Sequence, residues 1–306
     1  MSWPAYLDLY ESGELGERAE RALAQLAACT LCPRACRVDR TSGETGVCGI
    51  GRTAVVASTG PHFGEERVLR GSGGSGTIFF CGCNLNCVFC QNWDISHERL
   101  GREVGADELG AAMLELQALG CHNINLVTPS HVVPQILEAL SPAVEGGLTL
   151  PIVYNTSGYD AVETLRLLYG VVDIYMPDFK YWTDERAERF LTARDYPQRA
   201  REAIAEMHRQ TGDLELDRFG IARRGVLVRH LVMPDATTES EATLSWIASL
   251  IPDTFVNVMA QYRPQGAVLD DPRRFAEIDR QPSSDEYDTV LKTAARLGLR
   301  RASAAG

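Results

Sequence analysis

Eight of the nine cysteines in this 306-residue chain fall between residues 29 and 90, in two groups of four. The first group is Cys29, Cys32, Cys36 and Cys48; the second is Cys81, Cys83, Cys87 and Cys90, and Cys121 stands apart. The number is odd, and the chain opens on MSWPAYLDLYESGELGE, an acidic stretch without the basic and then apolar run of a secretion signal. No disulfide framework is expected, and the reading is a reduced, cytoplasmic protein. Thiols this dense in a reducing compartment point to metal chemistry.

The second group contains Cys83-Asn-Leu-Asn-Cys87-Val-Phe-Cys90, a C-x3-C-x2-C run behind the apolar strand candidate Thr77-Ile78-Phe79-Phe80. Three thiolates on a loop leaving a strand bind three irons of a cubane 4Fe-4S cluster and leave the fourth without a protein ligand. Such an iron is free to bind a substrate, as the open position does in catalytic zinc sites. Cys81 could join the same cubane only by distorting a C-x-C pair at the strand end, so it is left outside the cluster.

Composition narrows the class. Hydrophobic residues make up 45% and charged residues 23%, as in ordinary folded domains. Acidic residues outnumber basic ones by 41 to 30, a net charge of −11, which disfavours gripping nucleic acid or an anionic membrane as the main task. No apolar run is long enough to span a bilayer.

From residue 77 onward strand and helix patterns alternate. Strands are predicted at 77–80, 123–127, 152–155, 173–176, 226–232 and 255–259, and helices at 106–119, 132–140, 161–168, 185–210, 239–250 and 284–297. Six such units predict an α/β protein with a partial (β/α)6 TIM-like barrel, its site at the carboxyl ends of the strands. A doubly wound open sheet has the same periodicity. Residues 1–70 read as an N-terminal helix and a cysteine-rich metal-binding module, and residues 71–306 as the barrel. Polar residues collect at the strand ends: Thr128-Pro129-Ser130-His131, Asn155-Thr156-Ser157, Asp178-Phe179-Lys180, Arg229-His230 and Gln261-Tyr262-Arg263.

The cysteine run, with Phe89 just before its last thiol, resembles the signature of the radical S-adenosylmethionine (radical SAM) superfamily. That resemblance implies that the amine and carboxylate of S-adenosylmethionine chelate the open iron. One electron then releases methionine and a 5′-deoxyadenosyl radical that abstracts hydrogen. The chain is further similar to the pyruvate formate-lyase activating enzyme branch, in which a D-x-K and an R-H-x-V-x-P segment help hold S-adenosylmethionine. These match Asp178 and Lys180, and Arg229-His230-Leu231-Val232-Met233-Pro234. The resemblance thus implies a cofactor-binding set of Asp178, Lys180 and His230, joined by Ser130 and Asn155 at neighbouring strand ends, and no catalytic residue beyond the cluster. A carboxylate suits the methionine ammonium and a cation its carboxylate. The branch's G-G-E-P segment is replaced here by Thr128-Pro129-Ser130-His131, which lacks the charge. Within the branch, the N-terminal cysteine box and the run G-S-G-T-I-F-F place the resemblance over about residues 25 to 297.

The N-terminal box, C-x2-C-x3-C-x11-C, suits either a tetrahedral zinc or a second 4Fe-4S cluster, and spacing does not separate the two. Smaller features read as structural. His62-Phe63-Gly64-Glu65-Glu66 is a solvated charged linker, and Gly71–Gly76 is a turn ahead of a strand rather than a phosphate cradle. Cys121 is a buried apolar residue, and residues 302–306 are a frayed end.

Two functions compete. One is a radical SAM oxidoreductase acting on a glycine of a glycyl-radical enzyme or on another protein or small-molecule substrate. It would be served by a one-electron reductant such as flavodoxin or ferredoxin, with no membrane or nucleic-acid partner. The other is a non-catalytic iron–sulfur or zinc protein for electron transfer or scaffolding, which has no need of Asp178, Lys180 or His230.

Overall fold

A computed structural model describes residues 3–299 and 303–304. Six short, β-rich segments form parallel strands: β2 (Ser75–Phe80), β4 (Ile124–Val127), β5 (Ile152–Thr156), β6 (Ile174–Pro177), β8 (Ala222–Leu231) and β9 (Phe255–Met259). Their order in the sheet is their order in the chain. A doubly wound sheet reverses direction at a switch point, and no reversal occurs, so the topology is that of a partial TIM-like barrel. The sheet does not close. Its first edge carries the antiparallel strands β1 (Ala54–His62) and β3 (Arg102–Val104), and the two-residue β7 (Glu215–Leu216) pairs with β8.

Both sheet faces are buried, as a parallel sheet requires, and side chains alternate between them. Ile78, Phe80, Leu126, Tyr154, Tyr175, Val228 and Val258 join the large core beneath the helices. Val153, Ile174, Met176 and Leu227 form a separate cluster on the other face, closed by Leu69 from the short helix Arg67–Arg70.

The helices at Ala106–Ala118, Val162–Leu167, Thr237–Leu250 and Ser284–Arg296 lie close to their expected bounds, whereas Val133–Glu145 runs five residues past its expected end, through Pro142. The stretch 185–210, expected as one helix, is two: Asp184–Leu191 and Tyr196–Thr211. Thr192 ends the first in the left-handed region at φ +55°, and Pro197 begins the second near its N-terminus, where its missing N–H costs nothing. A second correction concerns β1, for which no strand is predicted: it lies in residues 1–70, read as a helix and a cysteine-rich module, yet it pairs with β2 in the barrel sheet. Of residues 302–306, expected to fray, Ser303–Ala304 instead pair in parallel with Asn257 and Val258 as β10, and the rest lie outside the described residues. Among the described residues no helix is long and apolar enough to cross a membrane.

Candidate active site

The cysteine loop leaves the carboxyl end of β2 and is pinned along its length. Gly82 donates to the Ile95 carbonyl and Val88 to the Phe190 carbonyl, each at 2.9 Å. Phe89 packs edge-on against Tyr262 and Tyr181, which accounts for an aromatic at that place in the run. Leu85 N–H donates to Cys83 Sγ at 3.4 Å, and Ser96 Oγ to Cys90 Sγ at 3.1 Å. Donors of this kind stabilise a thiolate once it is ligated. In the free chain burial pushes the Cys87 thiol up to about 12, against the pull of the Lys180 ammonium; burial, then Cys87 and Cys90, raise Cys83 as well. Metal uptake must therefore release protons here.

Cys83, Cys87 and Cys90 influence one another electrostatically, whereas Cys81 is wholly buried with its thiol toward Gly101, raised by burial and then by Asp94. A donor set of three soft thiols on one loop, Cys87 buried and Cys83 and Cys90 half-buried, two of them with a hydrogen-bond donor at sulfur, fits a 4Fe-4S cluster with one iron unligated by protein.

Beside this loop lies a buried ionic cluster. Asp178, just beyond β6, accepts from Lys180 Nζ at 2.6 Å and from Arg229 Nε of β8 at 2.8 Å. Arg229 Nη2 also donates to Asn155 Oδ1 of β5 at 2.8 Å. Burial works against the Asp178 charge, but Arg229 and Lys180 outweigh it and hold the carboxyl at about 2. Lys180 is raised despite its burial, by Asp178 and then Cys87, so the cation stands within electrostatic reach of the cysteine loop. The turn depends on Gly158: at φ +80°, any Cβ there would stand 2.4 Å from the Asp178 carbonyl oxygen. Tyr196, wholly buried, secures the same turn by accepting from Lys180 N–H at 2.9 Å.

Three of the five residues expected to bind cofactor, Asp178, Lys180 and Asn155, therefore meet around Arg229. The other two do not join them. Ser130 shares a hydrogen bond with Thr156, which donates to the buried Asp160, a network behind the strand ends. Thr128, in the same loop, sits at φ +60°, an unusual backbone for a β-branched residue. His230 alternates with Arg229 along β8 and so faces the helices. Its Nδ1 bonds the Phe179 carbonyl at 2.7 Å and its Nε2 the Ser240 hydroxyl at 2.8 Å, and it is 1% exposed. It braces the strand against the helix Thr237–Leu250 and has no free nitrogen for a ligand.

Glu65 and Glu66, read as a solvated linker, are a further correction. Glu65 lies 3.6 Å from Arg229, and Glu66 accepts from Asn257 of β9 at 2.7 Å. Burial raises the Glu65 carboxyl to about 7 although Arg229 pulls it down. No local pattern marks these carboxylates, because only the pairing of β1 with β2 turns their loop toward the inner face. Residues 71–73 form a turn leading toward β2, as expected, but Ser75 and Gly76 already belong to that strand.

The four box thiols line a single cavity with Arg40 and His131. Among the described residues, no group of three or more His, Cys, Asp or Glu is arranged to hold a metal ion.

The radical SAM superfamily model matches residues 77–247, more than half of the chain. The chain is also 34% identical over 247 residues to the uncharacterized protein MJ0674 of Methanocaldococcus jannaschii. That alignment covers 78% of this chain and 66% of the relative, just under two thirds of its length. The chain belongs to the radical SAM superfamily, whose members use a 4Fe-4S cluster and S-adenosylmethionine.

Proposed function

We propose that this protein is a radical SAM oxidoreductase, with Cys83, Cys87 and Cys90 holding the cluster and Asp178, Lys180 and Arg229 receiving the methionine end of S-adenosylmethionine. The observation that carries this reading is the Lys180–Asp178–Arg229 bridge beside Cys87. When bound, the cluster supplies the electron that cleaves S-adenosylmethionine to methionine and the 5′-deoxyadenosyl radical. Lys180 and Arg229 offer their N–H groups to the ligand's carboxylate. Asp178 keeps both cations charged and aimed, and offers a lone pair to its ammonium. Asn155 fixes the second fork of the guanidinium. Ser130 and His230 act one step removed, by holding the strand ends.

The substrate we favour is a glycine of a glycyl-radical enzyme, supported by the D-x-K and R-H-x-V-x-P matches; a small molecule is the alternative. Residues 1–70 would serve as the module bearing the second metal centre, residues 71–306 as the radical barrel, and flavodoxin or ferredoxin as the reductant. The test is anaerobic: reconstituted protein, dithionite and S-adenosylmethionine, with 5′-deoxyadenosine measured beside a Cys87→Ala control. Product that depends on Cys87 is expected. Its absence from protein with an intact cluster, in the presence of a candidate glycyl-radical partner, would leave the electron-carrier reading.

A further inference from the structure

The box must be explained by what surrounds its thiols. Ala35 and Arg37 both take positive φ, at +42° and +57°, so the chain coils tightly between Cys32 and Val38. Gly46 lets the returning chain close over Cys36: a Cβ there would stand 2.7 Å from its sulfur. The result is one cavity walled by Cys29, Cys32, Cys36 and Cys48.

Two groups in that wall lack a partner suited to them. Arg40 is 1% exposed, yet its guanidinium meets only the Gly51 and His131 carbonyls, at 2.8–3.0 Å, and Cys29 Sγ at 3.9 Å. No carboxylate pairs with it among the described residues. A buried cation without a counter-charge is costly. His131, also 1% exposed, donates from Nε2 to the Cys81 carbonyl at 2.8 Å and leaves its buried Nδ1 with no partner. The Nδ1 lone pair suits a metal ion or an N–H or O–H donor, and the Arg40 guanidinium suits an anionic occupant. Four thiolates around a metal centre supply that charge.

The wall also abuts the loop of the first cluster. Asn84, between Cys83 and Cys87, accepts from Arg34 Nε at its carbonyl at 2.8 Å; burial raises the Cys32 thiol, and the Asn84 side chain works against that rise. Gly82 passes so close to Cys48 that a Cβ would stand 2.4 Å from the Cys48 carbonyl oxygen.

We propose that Cys29, Cys32, Cys36 and Cys48 are the ligands of a second iron–sulfur cluster, with Arg40 and His131 completing its wall, seated directly against the loop of the radical SAM cluster. A cubane is favoured over zinc because the site abuts the loop of the first cluster through Arg34–Asn84 and Cys48–Gly82, where an iron–sulfur centre can relay an electron and a redox-inert zinc ion cannot. The proposal rests on the radical SAM reading only for the identity of the neighbouring cluster.

The experiment uses full-length protein reconstituted anaerobically with iron and sulfide. Iron, acid-labile sulfide and zinc per chain are measured in wild type, in Cys83→Ala/Cys87→Ala/Cys90→Ala and in Cys48→Ala, with low-temperature EPR of the reduced samples. About eight irons are expected in wild type and about four, with sulfide and a cubane signal, in the triple variant. A triple variant that holds zinc without sulfide, or no metal while its circular dichroism matches wild type, overturns the proposal. If instead wild type holds about four irons and all survive the triple substitution, the second cluster stands and the radical SAM reading falls. In the triple background His131→Ala should shift the g-values of the remaining signal; an unchanged spectrum removes His131 from the site.

Discussion

Arg34 of the N-terminal box donates to the carbonyl of Asn84 in the C-x3-C-x2-C loop, 2.8 Å away, and reaches the Thr192 carbonyl at 2.6 Å with its other arm. One side chain thus braces the two cysteine groups and the break between two helices. Where the groups touch, Gly82 takes φ +75° with the Cys48 carbonyl in the space of its missing Cβ. Gly82→Ala should therefore cost about 1–3 kcal/mol, combining left-handed strain with the clash. Denaturant titration of the anaerobic protein measures this, and a midpoint unchanged from wild type would contradict the close approach.

The Asp178 bridge makes a catalytic prediction. Asp178→Asn keeps the shape but removes the charge that organises Lys180 and Arg229. Charge-assisted hydrogen bonds contribute about 1.5–3 kcal/mol, so binding of S-adenosylmethionine should weaken roughly 10- to 100-fold while iron content stays at the wild-type level. Equilibrium binding with labelled S-adenosylmethionine, beside an iron assay, checks both halves.

His230 predicts the opposite pattern. With both ring nitrogens bonded inside the fold, His230→Ala leaves the Phe179 carbonyl and Ser240 hydroxyl without their partner. Stability should fall by about 2–4 kcal/mol, with S-adenosylmethionine affinity within about threefold of wild type at a temperature where the variant is folded. A selective loss of affinity would place the imidazole at the ligand.

Glu65 gives a pH dependence. Its carboxyl is raised from 4.5 to about 7, first by burial. Between these values the folded chain binds more protons than the unfolded one, so its contribution to stability is full below about 4.5 and is lost as pH rises through about 7. Glu65→Gln cannot titrate. Between about pH 5 and pH 8 its Tm should therefore fall less than that of wild type, by a few degrees. Parallel Tm–pH curves would contradict a buried, proton-holding Glu65.

The parallel strands were legible because each is a short apolar run closed by polar residues, and the cysteine spacings are local by nature. Asp178 and Lys180 were legible as a pair for the same reason: two residues apart, they share one turn. Glu65 was not, since its partner Arg229 is distant in sequence and reached only through the β1–β2 pairing. The place of His230 was not legible, because a strand's period of two sends neighbours to opposite faces and sequence does not say which of Arg229 and His230 faces the helices. The break near Thr192 had a visible mark in Pro197, outweighed by a continuous helical pattern on either side.

The central claim, that Cys83, Cys87 and Cys90 hold a cluster with an iron free for S-adenosylmethionine, is tested most directly by EPR of the dithionite-reduced protein before and after that molecule is added. A Cys48→Ala variant isolates the first cluster's signal. The account predicts a change in its g-values on addition, abolished in the additional Cys87→Ala background. A reduced-cluster spectrum that stays the same at saturating S-adenosylmethionine would contradict it.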